Sequence, residues 1–154
     1  MKRKLTRGEG AQSLVEFALI VPMLLILVFG IIDFGLGLRA YISVSSATRE
    51  GARYASVGNP AGSFSSGGSG ECNGTTTTTV VGKTCATLKG LDLNNVDDVG
   101  VTYPSGKAPG SSVVVEMDYE YKYITPVSRL VDFFSGGSIG DSLTISAQTD
   151  MRLE

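Results

Sequence analysis

Residues 17–32 read FALIVPMLLILVFGII and contain no charged side chain. The apolar stretch extends to Leu38, with Asp33 as its single ionisable group. A helix rises about 1.5 Å per residue, so residues 17–38 span about 33 Å, compared with roughly 30 Å for the hydrocarbon core of a bilayer. Four basic residues precede the stretch: Lys2, Arg3, Lys4 and Arg7. We therefore predict a transmembrane segment at 17–38, with the N-terminus in the cytoplasm and the rest of the chain outside.

The composition excludes several classes of function. The chain has 154 residues and no histidine, which removes the central residue of serine and cysteine hydrolase triads and of histidine-based zinc sites. Its net charge of −2 gives no reason to expect nucleic acid as a partner. The sequence contains no phosphate-binding loop, dinucleotide-binding fingerprint or nucleophile elbow. We expect that the chain is not an enzyme and has no catalytic residue, no cofactor and no metal.

Glu16 is the residue of the apolar segment that most needs an explanation. It stands between apolar neighbours on both sides, and a lone carboxylate in or near lipid costs roughly 2.5–3.5 kcal/mol on insertion scales. A cleaved signal peptide predicts an apolar core of roughly 7–15 residues and a small-x-small cleavage site. The core here is longer, and Gly35-Leu36-Gly37 is a poor cleavage site. Neither a signal peptide nor a plain anchor accounts for the carboxylate, which should have a partner.

Four short segments resemble a known family. Residues 10–17, GAQSLVEF, follow a basic leader and look like the processing site of type IV pilin-like proteins, with a small residue at the cut and a glutamate five residues after it. Residues 30–35, GIIDFG, and 48–55, TREGARYA, are similar to the two hallmark segments of TadE-like proteins, the pseudopilins of the tight-adherence (Flp) pilus system. The ending TDMRLE, at 149–154, is similar to the family's usual close. The resemblance is weak over residues 58–140.

The resemblance implies a structural subunit rather than a catalyst. A prepilin peptidase would cut between Ala11 and Gln12, which makes Glu16 the fifth residue of the mature chain. Cleavage after Gly10 stays open and would make it the sixth. Glu16, followed by Phe17, would dock the subunit onto other pilin and pseudopilin subunits, and the Tad assembly machinery would build a pilus used in surface adhesion. The alternative is a signal-anchored extracytoplasmic binding domain that never enters a filament.

Charge pairing gives this docking a physical basis. The α-amino group created at Gln12 is positively charged at neutral pH, and Glu16 lies one helical turn away or within reach of a neighbouring subunit's N-terminus. Asp33 has two readings: an interfacial charge where the helix leaves lipid, or a contact with a basic group such as Arg39 of a neighbouring subunit. Three further charged residues, Arg49, Glu50 and Arg53, are candidates for contacts between helices.

The chain divides into four parts by composition. Residues 1–11 form a basic cytoplasmic leader that is removed, and residues 12–57 form one long helix, from about Ser13 to about Ser56. Residues 58–79 form a loop rich in Gly, Ser and Thr, in which the threonines at 75–79 could carry sugars. Residues 80–154 form an extracytoplasmic domain. A disulfide between Cys72 and Cys85 is favoured outside the cell and would stabilise the fold by about 3 kcal/mol.

The fold class is α+β, in which the outer half of the long helix covers a small three-stranded antiparallel sheet as in type IV pilins. Side chains with strict alternation predict strands over 99–103, 113–123 and 143–153. Short helices are expected over 83–91 and 126–134. Three acids on the second strand, Glu116, Asp118 and Glu120, read as a solvated face paired with Lys122 or Arg152 rather than as a calcium site.

Overall fold

The computed structural model describes residues 7–59, 61–62, 72, 77–136 and 140–154, with residues 7–10 and 134 described by their backbone alone. Three α-helices and three strands follow one another along the described chain, with a 3-10 turn between α2 and β1. In order they are α1 Arg7–Ser56, α2 Val80–Thr87, the 3-10 turn Leu93–Asn95, β1 Val96–Thr102, β2 Ser112–Lys122, α3 Val127–Ser135 and β3 Ser142–Arg152.

The chain folds into two compact units. The first comprises Met1–Gly35 and Tyr123–Gly140, and the second comprises Leu36–Lys122 and Asp141–Glu154. The first unit therefore contains the apolar beginning of α1 together with α3. The second contains the outer part of α1, α2 and the sheet.

The helix α1 begins at Arg7, ahead of the predicted start at Ser13, and ends at Ser56 as predicted. Gly58 adopts a φ of +80°, a conformation that glycine reaches without steric cost, and its amide donates to the Ala55 carbonyl at 3.0 Å. The Asn59 side-chain amide donates to the Tyr54 carbonyl at 2.9 Å. These bonds satisfy carbonyl groups that the end of a helix leaves without intrahelical partners.

The sheet is three-stranded and antiparallel in the order β1-β2-β3, which confirms the prediction. Val99 pairs with Met117 across β1 and β2, and Tyr119 pairs with Ile145 across β2 and β3. Strand β1 begins at Val96, ahead of the start at Val99 that the alternating pattern indicated, and its register is irregular between Val96 and Asp98.

The core of the second unit lies between one face of the sheet and one face of α1. On β2, Val113, Val115 and Met117 are fully buried and alternate with less buried neighbours. Burying one such side chain contributes roughly 1.5–3 kcal/mol. On α1 the buried residues recur at helical spacing: Ala40, Val44, Ala47, Thr48, Gly51, Ala52 and Ala55. The Thr48 and Thr149 hydroxyls are hydrogen-bonded at 3.0 Å, so the outer half of α1 covers the sheet as predicted.

Two of the predicted short helices have different limits in the structure. The helix expected over 83–91 is α2, which begins at Val80 because the Thr79 hydroxyl caps it by accepting from the Gly82 amide at 3.1 Å. It ends at Thr87, before Gly90 turns the chain with a φ of +73°. The helix expected over 126–134 is α3, which starts one residue later and ends at Ser135 before Gly136.

Cys72 and Cys85 form the predicted disulfide, with their Cα atoms 4.9 Å apart. Both side chains are buried, and Cys85 lies on α2. The bond therefore fastens the Gly/Ser/Thr-rich loop to the domain. Most of that loop, including residues 73–76 and the possibility of sugars there, lies outside the described residues.

Candidate functional site: the long N-terminal helix

The first unit presents an apolar helix surface that the chain itself leaves uncovered. Every residue from Ala11 to Ile20 is exposed, and the large side chains Met23, Leu27 and Ile31 remain exposed further along. The described part of α1, Ala11–Ser56, is long and apolar enough to cross a membrane. Exposed leucine and isoleucine side chains in such number favour an apolar environment over water. One N-terminal helix of this protein could thus serve as a single membrane anchor.

The residues predicted for processing and docking all lie near the beginning of this helix. Ala11, Gln12, Glu16 and Phe17 are exposed on continuous helix. Gln12 and Glu16 are four residues apart and so lie on the same side of α1. The ion pairs formed among the described residues, Arg53 with Glu50 and Lys122 with Glu120, do not include Glu16. Its carboxylate is therefore accessible from outside the chain.

Asp33 is buried and bonded within its own unit. Its side chain is 4% exposed, and Oδ1 accepts from the backbone amides of Ile124 at 3.1 Å and Thr125 at 3.4 Å. The Thr125 hydroxyl donates to Oδ2. Sequence reasoning missed these partners, because backbone amides in a segment about ninety positions further along leave no signal in the sequence. A contact with a basic group of a neighbouring subunit stays a prediction.

Arg39 lies in the second unit beside the loop that follows α2. Its Nη2 is 2.7 Å from the position that a Cβ atom would occupy on Gly90. A side chain at position 90 would collide with the guanidinium group and would also be strained by the positive φ. Within the chain, the Arg39 guanidinium therefore lies against this loop. Its predicted contact with another subunit stays a prediction.

The three charged residues in the second hallmark segment are not alike in their contacts. Arg53 holds Glu50 with two hydrogen bonds, Nε to Oε2 at 2.9 Å and Nη2 to Oε1 at 2.7 Å. The hydrogen bond from Arg53 lowers the pKa of Glu50, and the same bond raises the pKa of Arg53. Arg49 is exposed nearby on the helix. The structure thus brings Glu50 and Arg53 together along one helix.

The three acids of β2 differ in exposure: Glu116 is exposed and Glu120 half-buried, whereas Asp118 is half-buried and its Oδ1 is buried without a hydrogen-bond partner among the described residues, so the expectation of a solvated face does not hold for Asp118. Glu120 lies 3.4 Å from the Lys122 ammonium, one of the two pairings predicted for this face. A hydrogen bond from Ser142 is the main cause that lowers the pKa of Glu120, with a smaller contribution from Lys122. Among the residues that the structure describes, no three acids or cysteines come together as a metal site.

Two residues of the second hallmark segment hold α1 against its neighbours: Gly51, one of the small residues expected to allow close helix approach, and Thr48, whose partner the sequence did not reveal. The Thr48 hydroxyl is hydrogen-bonded to that of Thr149 on β3, and α1 approaches α2 closely at Gly51. A Cβ atom on Gly51 would lie 3.2 Å from the Thr84 Cβ, 3.4 Å from a Val115 methyl group, and in collision with the Thr84 hydroxyl. This segment thus helps to fix α1 to the sheet and to α2.

Together, the fold and the uncovered helix define the class of protein: an α+β protein of pilin-like architecture with one N-terminal helix that could span a membrane. More particularly, residues 11–53 match the family model described as TadE-like protein. The match confirms the resemblance inferred from the sequence motifs. It begins at Ala11 and ends at Arg53, so it covers the apolar span and most of the helix face that packs on the sheet. No curated protein and no solved structure matches the chain.

Proposed function

We propose that this protein is a structural pseudopilin that is processed by a prepilin peptidase and takes part in assembling a Tad/Flp-type pilus used in surface adhesion. The observation that carries the proposal is the match to TadE-like proteins over residues 11–53, which starts at the residue where processing is expected. The accessible Glu16 and the uncovered apolar helix support the same function. The proposal assigns the chain no catalysis of its own.

In this proposal α1 crosses the inner membrane once. The basic residues at the N-terminus keep the leader in the cytoplasm, where the peptidase cuts between Ala11 and Gln12. The sheet domain with its disulfide lies outside, in an oxidising compartment. After processing, the chain passes from the membrane into the growing pilus, where the uncovered surface of α1 packs on the helices of other pilin and pseudopilin subunits.

Docking in this proposal depends on one pair of charges. Cleavage creates a positive α-amino group on Gln12, and the Glu16 carboxylate of an adjacent subunit neutralises it when the helices pack with a small axial stagger. Removing one partner of a buried ion pair commonly costs 3–5 kcal/mol, because the remaining charge is left without a partner in an apolar environment. A subunit without the carboxylate should therefore fail to dock although its helix and domain are unchanged.

The variant Glu16→Gln tests this docking step. It keeps the size and polarity of the side chain and removes its charge, so cleavage should persist while incorporation into pili is lost. Glu116→Gln, on the exposed face of β2, is the matched control and should be incorporated normally. The measurement is the amount of mature subunit in sheared pili relative to the membrane. Normal incorporation of Glu16→Gln would contradict charge pairing, and absence of the wild-type chain from pili would favour the anchored binding domain.

A further inference from the structure

The segment that follows β2 is held against α1 at one particular height. Asp33 accepts hydrogen bonds from Ile124 and Thr125, the two residues that precede Pro126 and the start of α3. Because Asp33 is 4% exposed and has these three donors around it, the contact is built into the fold of the first unit. The beginning of α3 therefore lies beside residue 33 of α1.

Residue 33 lies toward the outer end of the span predicted over 17–38, where the charge-free run ends. It directly follows the charge-free run at 17–32, and Glu16 directly precedes that run. At about 1.5 Å per residue the two acids are about 26 Å apart along the helix axis, close to the thickness of roughly 30 Å of a hydrocarbon core. If Glu16 lies near the cytoplasmic surface of the membrane, Asp33 and the start of α3 lie at the opposite surface.

The side of this segment that faces away from the protein is apolar and basic. Ile124 is 71% exposed and Phe133 is 81% exposed, whereas Ser128 of the same helix is only 5% exposed. Five positions at 100° each place Phe133 about 140° from Ser128 around α3, so the helix turns a hydroxyl inward and a phenyl ring outward. Arg129, one turn before Phe133, is exposed as well. Aromatic, aliphatic and arginine side chains in this combination are typical of elements that lie in a membrane interface.

The geometry points to a second membrane contact: residues 123–135 lie in the outer headgroup layer of the bilayer that α1 crosses, with Ile124 and Phe133 at the lipid boundary and Arg129 directed to lipid phosphates. Asp33 is the positioning residue that holds the segment at this height. The inference rests on the membrane span in the proposed function. A lipid surface is favoured over a second copy of the chain because the segment is fixed at the height where the apolar run ends and carries a basic residue there.

Tryptophan fluorescence offers a direct test, since the chain contains no tryptophan. Phe133→Trp reports on the proposed contact, and Leu24→Trp reports on the span itself. Val57→Trp is the matched control, because Val57 is 60% exposed and follows the last residue of α1 in the second unit. Each full-length variant is reconstituted into vesicles of phosphatidylcholine and phosphatidylglycerol, with bromine placed on the acyl chains either near the headgroup or near the chain end.

For Phe133→Trp we expect a blue-shifted emission and a larger loss of intensity with shallow bromine than with deep bromine. Leu24→Trp should be quenched more by deep bromine, and Val57→Trp should be quenched by neither. Emission of Phe133→Trp that no brominated lipid quenches, while Leu24→Trp is quenched, would overturn the interfacial contact and leave the span intact. A blue shift without quenching would show that residue 133 is covered by protein, such as a second copy of the chain, and would overturn the contact with lipid. Absence of quenching for Leu24→Trp would overturn both the span and this inference.

The role of Asp33 is tested in the Phe133→Trp background. Asp33→Ala removes both acceptor oxygens and should abolish the shallow quenching, because the segment is then released from its height. Asp33→Asn keeps one carbonyl acceptor and should retain part of the quenching. Shallow quenching that is unchanged in Asp33→Ala would overturn the assignment of Asp33 as the positioning residue.

Discussion

Gly51 shows at the scale of one residue how the second hallmark segment secures the fold. A methyl group there would collide with the Thr84 hydroxyl and come within 3.4 Å of Val115, both of which are fully buried. The buried face of α1 is built from small residues around this point, which allows α2 and the sheet to approach closely.

We predict that Gly51→Ala destabilises the second unit, which contains the sheet. Overpacking a close contact costs about 1–3 kcal/mol, more than the roughly 1 kcal/mol that alanine gains over glycine inside a helix. The measurement is the free energy of unfolding from denaturant titration in detergent. Gly37→Ala is the matched control on the same helix, because its methyl group would meet only Tyr121 at 3.8 Å. Gly51→Ala as stable as Gly37→Ala would contradict the close approach.

The sequence indicates that Glu16 and Asp33 each need a partner, but it does not reveal the partner of Asp33. Both stand out because a charge beside an apolar run needs a partner. For Glu16 the partner was sought in another subunit, and the structure leaves its side chain exposed. For Asp33 the partners are two backbone amides and a threonine hydroxyl of the same chain. The sequence does not reveal these partners, because they lie far along the chain and every residue except proline provides a backbone amide.

At the scale of elements, the periodic patterns were sufficient to predict the three strands and the long helix. The alternation on β2 survives in the structure because one face is buried under α1 and the other is half-buried to exposed. The limits of α2 were wrong because a threonine cap and a turn at Gly90 decide them, and neither is part of a hydrophobic pattern. Propensity and periodicity locate an element, whereas local hydrogen bonds set its ends.

The disulfide connects the least regular part of the sequence to α2, and we predict that it contributes about 3 kcal/mol to the free energy of unfolding. Cys72 and Cys85 are 13 residues apart, and closing a loop of this length restricts the unfolded chain. Denaturant titration of wild type and of Cys72→Ala/Cys85→Ala measures the difference. A reductant should lower the stability of wild type and leave the variant unchanged. Equal stability of reduced and oxidised wild type would contradict the prediction.

At the scale of the whole molecule, the two ends of α1 have different surroundings. Its beginning is exposed and apolar, and its end is buried against the sheet through small residues. The charges are also unevenly distributed along the sequence. Residues 1–11 carry four basic side chains and one acidic side chain, and the remainder carries nine basic and fourteen acidic ones. Removal of the leader would therefore leave an acidic subunit whose uncovered surface is the helix itself.

Cleavage between Ala11 and Gln12 can be measured by N-terminal mass spectrometry of the protein from its own cells. We expect a mature chain that begins at Gln12, and accumulation of the full-length chain when the prepilin peptidase is deleted. A chain that retains Met1 in cells containing the peptidase, or one that begins after Gly37, would contradict this expectation.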